Sequence, residues 1–328
     1  MNSESLLSQV TYDCQLNSEL LLSQVTYDCQ LFVFEETTST NDEVIRIACE
    51  LPNLLSTPLV VVSGTQTSGR GRLGREWASP AGGLYLSVLL GIDAAGDKTN
   101  QLASLSPPAA LSPPAVLSPP AVLSPPAALN PPASLSSPAS QNSLTSLSPL
   151  VALATRDALQ GFYDNKVFLK WPNDVLTSAG KLAGILIETK PSSALIKDAE
   201  DKSQLVIVGI GVNVNRPDAG DHEAATYLSD NPGQHLKLEN VAAVVINQLL
   251  GQITRWQAES CSFSSFASSY TSHMVGIGEN VCVRNAFGEV MAQGIVKGID
   301  ELGRLLLQNT DETVVVTSGE VTLRQAQP

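Results

Sequence analysis

The chain has 328 residues, 43% hydrophobic and 16% charged, enough for one sizeable core plus a small second domain. Nineteen basic residues against 32 acidic ones leave a net charge of −13, which argues against non-specific binding to nucleic acid or an anionic membrane. Five cysteines (Cys14, Cys29, Cys49, Cys261 and Cys282) form no CxxC pair, so neither a disulfide framework nor a zinc site is expected.

The N-terminus lacks a basic start followed by an apolar h-region, and no apolar run reaches bilayer-spanning length, so a reducing cytoplasm is the expected compartment. Residues 2–15 recur as residues 17–30, differing only at Ser5 and Leu20. Two copies are too few for a solenoid, and the segment is too short for a helix-turn-helix domain with its own core. Residues 1–30 are therefore expected to be a disordered, duplicated leader. Leu31–Phe34 reads as a strand, and Thr40 with Glu43 three positions on forms a capping-box signal for a helix to about Cys49. Pro58–Ser63 and Gly83–Leu90 read as strands flanking a glycine-rich loop.

From Leu105 to Ser140 the chain repeats a six-residue unit of the type LSPPAV. Paired prolines remove backbone donors and fix φ, so an extended or disordered insertion over residues 101–146 is expected. Leu147–Gln160 has a helical period and Lys166–Lys170 reads as a short strand. Asp174–Thr177 and Lys181–Glu188 read as a hairpin around Ser178–Gly180. Leu205–Val214 is a buried strand, and Leu238–Trp256 a long amphipathic helix. Beyond about Gly276 come the short strands Asn280–Arg284, Val290–Val296, Leu305–Gln308 and Thr313–Thr317, suiting a small barrel. The pattern predicts an α+β fold, with a catalytic domain over residues 31–272 and a β module over 273–328.

Three segments carry chemistry. In the run from Ser68 to Trp77 (SGRGRLGREW), Gly69, Gly71 and Gly74 let backbone N–H groups approach a ligand, while Arg70, Arg72 and Arg75 supply three charges within six residues. Guanidinium groups suit phosphate oxygens through paired hydrogen bonds, although the same composition also suits a solvated turn. The loop is neither a Walker A motif nor a Rossmann fingerprint. The second segment is Lys170-Trp-Pro-Asn-Asp174 followed by the run from Gly180 to Glu188. Lys181 there shares a strand face with Ile185 and Ile187, which suits either a pocket-facing ammonium or an exposed hairpin end. Asp174 follows a turn and is a candidate carboxylate for Mg²⁺ beside a nucleotide. In the third, the run from Gly209 to Asn215 (GIGVNVN), alternate glycines mark close approach of a ligand or of neighbouring backbone.

In this order, GRGRLGREW, KWPND, GKLAGILIE and GIGVNVN make the chain resemble the biotin–protein ligase family. The likeness extends from Ser39-Thr-Asn41 to the run GEVTLR ending at Arg324. It implies a mixed-sheet ligase domain, an SH3-like C-terminal barrel, and ATP, biotin and Mg²⁺ as the small molecules used. It also implies a biotin carboxyl carrier protein of acetyl-CoA carboxylase as partner, in a monomer or weak homodimer that needs neither nucleic acid nor membrane. By resemblance, Ser39, Thr40, Asn41 and Gln66 line the biotin pocket, and Arg70, Gly71 and Arg72 close over biotin and its adenylate. Lys181 meets the activated carboxylate. Trp77, Asn173, Asn213 and Arg324, with Arg72, meet the nucleotide, and Arg72 and Lys181 carry the catalysis. Leu73 departs from the commonest family loop, which has arginine at its position. A lipoate–protein ligase would share the architecture and the adenylate chemistry, but GRGRLG and GEVTLR favour biotin. A non-catalytic binder of biotin or its adenylate is the third reading. With so short a leader, a ligase without repressor function is expected.

Overall fold

Strands that bury both faces read as continuous apolar runs, and the central strands here do so. A computed structural model describes residues 16–51, 57–91, 138–191, 204–217, 225–230, 235–310 and 312–323. The elements of the first part are α1 (Ser18–Gln24), β1 (Gln30–Thr37), α2 (Thr40–Glu50), β2 (Leu59–Gln66), β3 (Leu84–Gly91), α3 (Pro138–Gln160) and β4 (Phe168–Lys170). They continue with β5 (Asp174–Leu176), β6 (Lys181–Pro191), β7 (Gln204–Val212), α4 (Leu238–Ala258) and α5 (Ser264–His273). A mixed seven-stranded sheet runs β1-β2-β3-β7-β6-β5-β4, with β1 and β2 parallel and the other pairs antiparallel. Period-two alternation turns Leu59, Val61 and Ile207 toward α2, and Val60, Val62 and Val208 toward the core that holds α3 and α4.

The C-terminal part is a five-stranded antiparallel sheet, order β11-β10-β9-β8-β12, built from β8 (Asn280–Arg284), β9 (Val290–Ile299), β10 (Leu305–Gln308), β11 (Thr313–Val316) and β12 (Glu320–Leu323). The turn between β9 and β10 fastens it to the first part: Trp171 Nε1 donates to Gly303 O at 2.9 Å and Thr145 Oγ1 to Leu302 O at 3.0 Å. Gly303 has φ +72°, and an added Cβ would lie 3.0 Å from Ser146 Cα and Pro149 Cγ, so only glycine lets this turn approach α3.

Three sequence expectations change. The leader is not without structure throughout: from Leu16 onward it packs against α4, with Leu16 2% exposed and Leu21 fully buried. A seven-residue helix cannot hold itself, and its stability comes from that packing. Residues 138–146, expected in the proline-rich insertion, begin α3, because a proline at the first helical position gives up an N–H that has no helical partner anyway. The capping box does not form either. Ser39 is the N-cap without a side-chain bond, and Thr40 is turned to Gln66 instead. The serine-rich α5 has no counterpart in the sequence reading; it is held by burial of Phe266 and Tyr270 beside Phe263. The first copy of the duplication, the repeat up to residue 137, and Arg324 lie outside the described residues. Among the described residues no helix is long and apolar enough to cross a membrane.

Candidate active site

The site lies where β2 ends, where α2 begins, and where the glycines of β6 and β7 leave the sheet face open. A cleft of about 490 Å³, its solvent-open mouth included, is lined there by Ser39, Thr40, Asn41 and Gln66, by Arg70, Gly71, Arg72 and Trp77, and by Asn173 and Lys181. Ten sequence-derived residues thus come together in one cavity.

Its polar end is a continuous hydrogen-bonded run. Asn41 Nδ2 donates to Glu188 Oε2 at 2.6 Å, and the Ser87 hydroxyl lies 2.5 Å from Asn41 Oδ1 and 2.7 Å from Thr40 Oγ1. Gln66 Oε1 accepts from Thr40 N at 2.8 Å and Thr40 Oγ1 at 3.1 Å. Gln66 Nε2 donates to Ser79 Oγ at 2.9 Å, which in turn donates to Trp77 O at 3.0 Å. Ser39, Thr40, Asn41, Ser79 and Ser87 are all buried, so each partner fixes the next in a medium where an unmade bond is costly. Ser87, Ser79 and Glu188 were not legible as site residues, because each is brought to the cavity by the fold: Ser87 by β3, Glu188 by β6 and Ser79 by the loop that follows Trp77.

The arginine loop covers this floor, and each arginine holds a different element. Arg70 makes a two-pronged ion pair with Asp42 at the start of α2, with Nη2 2.7 Å from Oδ1 and 3.6 Å from Glu188 Oε2. Its hydrogen bond with Asp42 raises the guanidinium pKa further. Arg72 Nη1 donates to Asn173 Oδ1 at 2.8 Å, and burial lowers its pKa from the ordinary arginine value. Arg75 reaches Glu320 on β12, with Nη1–Oε1 at 2.6 Å and Nη2–Oε2 at 2.8 Å. The loop tip turns through Leu73 at φ +60° and Gly74 at φ +71°.

Trp77 lies flat across β6 and β7, and the glycines there are its seat. A Cβ on Gly184 would stand 2.8 Å from Trp77 Cζ3, and one on Gly211 2.5 Å from its Nε1. Gly209 makes the same room for Asn41, whose Oδ1 would be 2.5 Å from an added Cβ. The indole N–H has no hydrogen-bond partner among the described residues. Lys181 Nζ sits 4.9 Å from the Trp77 ring centroid and 2.7 Å from Asp174 Oδ1.

Two sequence candidates are displaced from the wall. Asn213 Nδ2 donates to Lys181 O at 3.0 Å, fastening the start of β6 from behind. Asp174 stands behind Lys181 and not on the cavity surface, and no group of three or more metal-ligating side chains occurs among the described residues.

Residues 33–108 and 131–213 match the Biotin/lipoate A/B protein ligase family, and residues 276–324 match the Biotin protein ligase C terminal domain. Those two matches, one on each sheet, define a class of ligases that act on biotin or lipoate. The chain is 30% identical over 295 residues to the biotin–[acetyl-CoA-carboxylase] ligase of Paracoccus denitrificans, covering 87% of this chain and 97% of that one. It belongs to the biotin protein ligase family. A bifunctional ligase/repressor of Bacillus spizizenii is 27% identical over 270 residues, and the match spans 66% of that longer protein. The fold is shared with the biotin protein ligase from Aquifex aeolicus solved with biotin and ATP, at a TM-score of 0.61 and 24% identity over 90% of this chain and 99% of that one.

Proposed function

We propose that this chain joins the carboxylate of biotin to the α-phosphate of ATP and passes the biotinyl group to a lysine of a carrier protein. The observation that carries the reading is the convergence of Arg70, Arg72 and Lys181 on one cavity whose other end is a floor of hydroxyls and amides backed by the Glu188 carboxylate. A ureido head group can exchange hydrogen bonds with Ser39, Thr40, Asn41 and Gln66, while a carboxylate and a phosphate meet the cationic end.

Biotin's carboxylate is a poor electrophile and must be activated. As it attacks the α-phosphate and pyrophosphate leaves, negative charge grows on phosphoryl oxygens, which Arg72 and Lys181 of the cavity wall would stabilise. The arginine loop then shields the mixed anhydride from water until the lysine amine attacks its acyl carbon and AMP leaves. Asn173 positions Arg72, Asn213 and Asp174 position Lys181, and Trp77 offers a flat face to adenine. Arg324, which follows β12 in the sequence, is a further proposed nucleotide contact.

A Mg²⁺ would arrive on the ATP phosphates, and Asp174, the candidate carboxylate, would have to leave its 2.7 Å ion pair with Lys181 behind the cavity wall to hold it, since such ions use one or two carboxylates and substrate oxygens rather than a protein cage. When bound, it would neutralise phosphate charge. A biotin carboxyl carrier protein of acetyl-CoA carboxylase, in the cytoplasm, is the proposed acceptor, and a monomer or weak homodimer the proposed form.

The test is biotin-dependent ATP–pyrophosphate exchange, followed by label transfer to a purified carrier domain, with lipoate run in parallel. Binding of biotin without either activity would sink the enzyme reading, and exchange with lipoate alone would replace the substrate.

A further inference from the structure

The leader segment that packs on α4 has a near-identical twin fifteen positions earlier. In the described copy, Asn17 caps α1 by accepting from Leu20 N at 2.9 Å, and Leu21 is fully buried. Two asparagines on one face of α4 then bind the strap. Asn240 Oδ1 accepts from Gln24 Nε2 at 3.0 Å. Asn247 Oδ1 accepts from Thr26 N at 2.8 Å, and Asn247 Nδ2 donates to Gln24 O at 2.9 Å. Tyr27 fills the space over Gly251, where an added Cβ would stand 2.7 Å from its hydroxyl. Val25 and Cys29 pack against the same core, and burial pushes the Cys29 thiol up to about 12.

Every one of these contact residues recurs in the first copy: Asn2, Leu6, Gln9, Val10, Thr11, Tyr12 and Cys14 stand in for Asn17, Leu21, Gln24, Val25, Thr26, Tyr27 and Cys29. Met1 falls where Leu16 falls, and Gln15 and Leu16 fall where Gln30 and Leu31 open β1. The one difference, Ser5 for Leu20, lies at a half-buried position.

We propose that the face of α4 carrying Asn240, Asn247 and Gly251 is a docking groove with two interchangeable occupants in the same chain, residues 17–30 and residues 2–15. The second copy holds the groove in the intact protein, because docking the first leaves residues 16–29 to be closed as a loop before β1. When the second copy is damaged, the first takes its place. The groove thus selects for a sequence, an amphipathic turn ending in Gln and followed by Val-Thr-Tyr, and not for a fixed position in the chain.

The test is a double-mutant cycle on the full chain, read by thermal melting. Leu6→Asp alone leaves the melting temperature unchanged, and Leu21→Asp lowers it. Leu6→Asp added to Leu21→Asp lowers it again by about 5 °C or more, because a buried carboxylate then blocks both occupants. If Leu6→Asp is as silent beside Leu21→Asp as it is alone, the proposal is overturned. It is equally overturned if Leu6→Asp destabilises on its own, which would give the first copy a separate site. Tyr12→Ala and Tyr27→Ala repeat the cycle with a milder lesion, so that poor folding of Leu21→Asp leaves the question answerable.

Discussion

The floor of the cavity and the loop above it are built from opposite materials. The floor is a run of hydroxyls, amides and one carboxylate, buried at Asn41, Ser87, Thr40 and Ser79 and half-buried at Glu188 and Gln66, in which each bond leans on the next. The loop is held by ion pairs whose side chains are 38% and 49% exposed at Arg70–Asp42, and 64% and 33% at Arg75–Glu320. Exposed pairs of this kind are worth about 0–1 kcal/mol each. A site built this way has a rigid half that selects the substrate and a half that trades its contacts cheaply when a ligand offers better ones.

The contrast can be broken most severely at the cationic end, where chemistry depends on both halves. Lys181→Ala is expected to lower the rate of adenylate formation by roughly 100- to 1000-fold, the usual loss for one charge-stabilising donor, with the melting temperature nearly unchanged. Single-turnover formation of adenylate from biotin and ATP measures it. Next comes the floor. Gly209→Ala drives a methyl group into Asn41 and should cost about 1–3 kcal/mol in urea denaturation while raising the biotin KM, because overpacking there has no slack to use. Ser87→Ala removes the hydroxyl between Thr40 and Asn41 and should cost about 1–2 kcal/mol with a weaker biotin Kd by calorimetry, kcat being little altered. The loop should give the smallest effects. Glu320→Gln is expected to change stability by about 0.5 kcal/mol or less and to speed release of bound adenylate a few-fold, an effect that rising salt mimics in the parent protein. A large loss of stability in Glu320→Gln would erase the distinction between the two halves.

Much of the architecture was legible beforehand because both its periods are strong. The apolar run of β7 and the long amphipathic α4 declare themselves locally, and the arginine loop stands out against a net charge of −13. What escaped depended on partners far away in the chain. Asp42 and Glu188 are ordinary acidic residues until the fold brings them under Arg70. The glycines at 209 and 211 advertised a close approach, but not that Gly211 together with Gly184 seats Trp77 and that Gly209 admits Asn41. The leader gave no helical signal long enough to trust, since its order comes from asparagines more than 200 positions onward.

The chain has three tryptophans, and their surroundings differ in a useful way. Trp171 and Trp256 are 2% and 0% exposed, their indole N–H groups committed to Gly303 O and Ser146 Oγ in the packing between the two sheets and among the helices. Of the three, Trp77 lies on the cavity wall, under an ammonium group and with its N–H unclaimed among the described residues. The protein therefore carries its own optical reporter: two fluorophores form a constant background, and the third changes its emission whenever a guest displaces Lys181 or covers the ring.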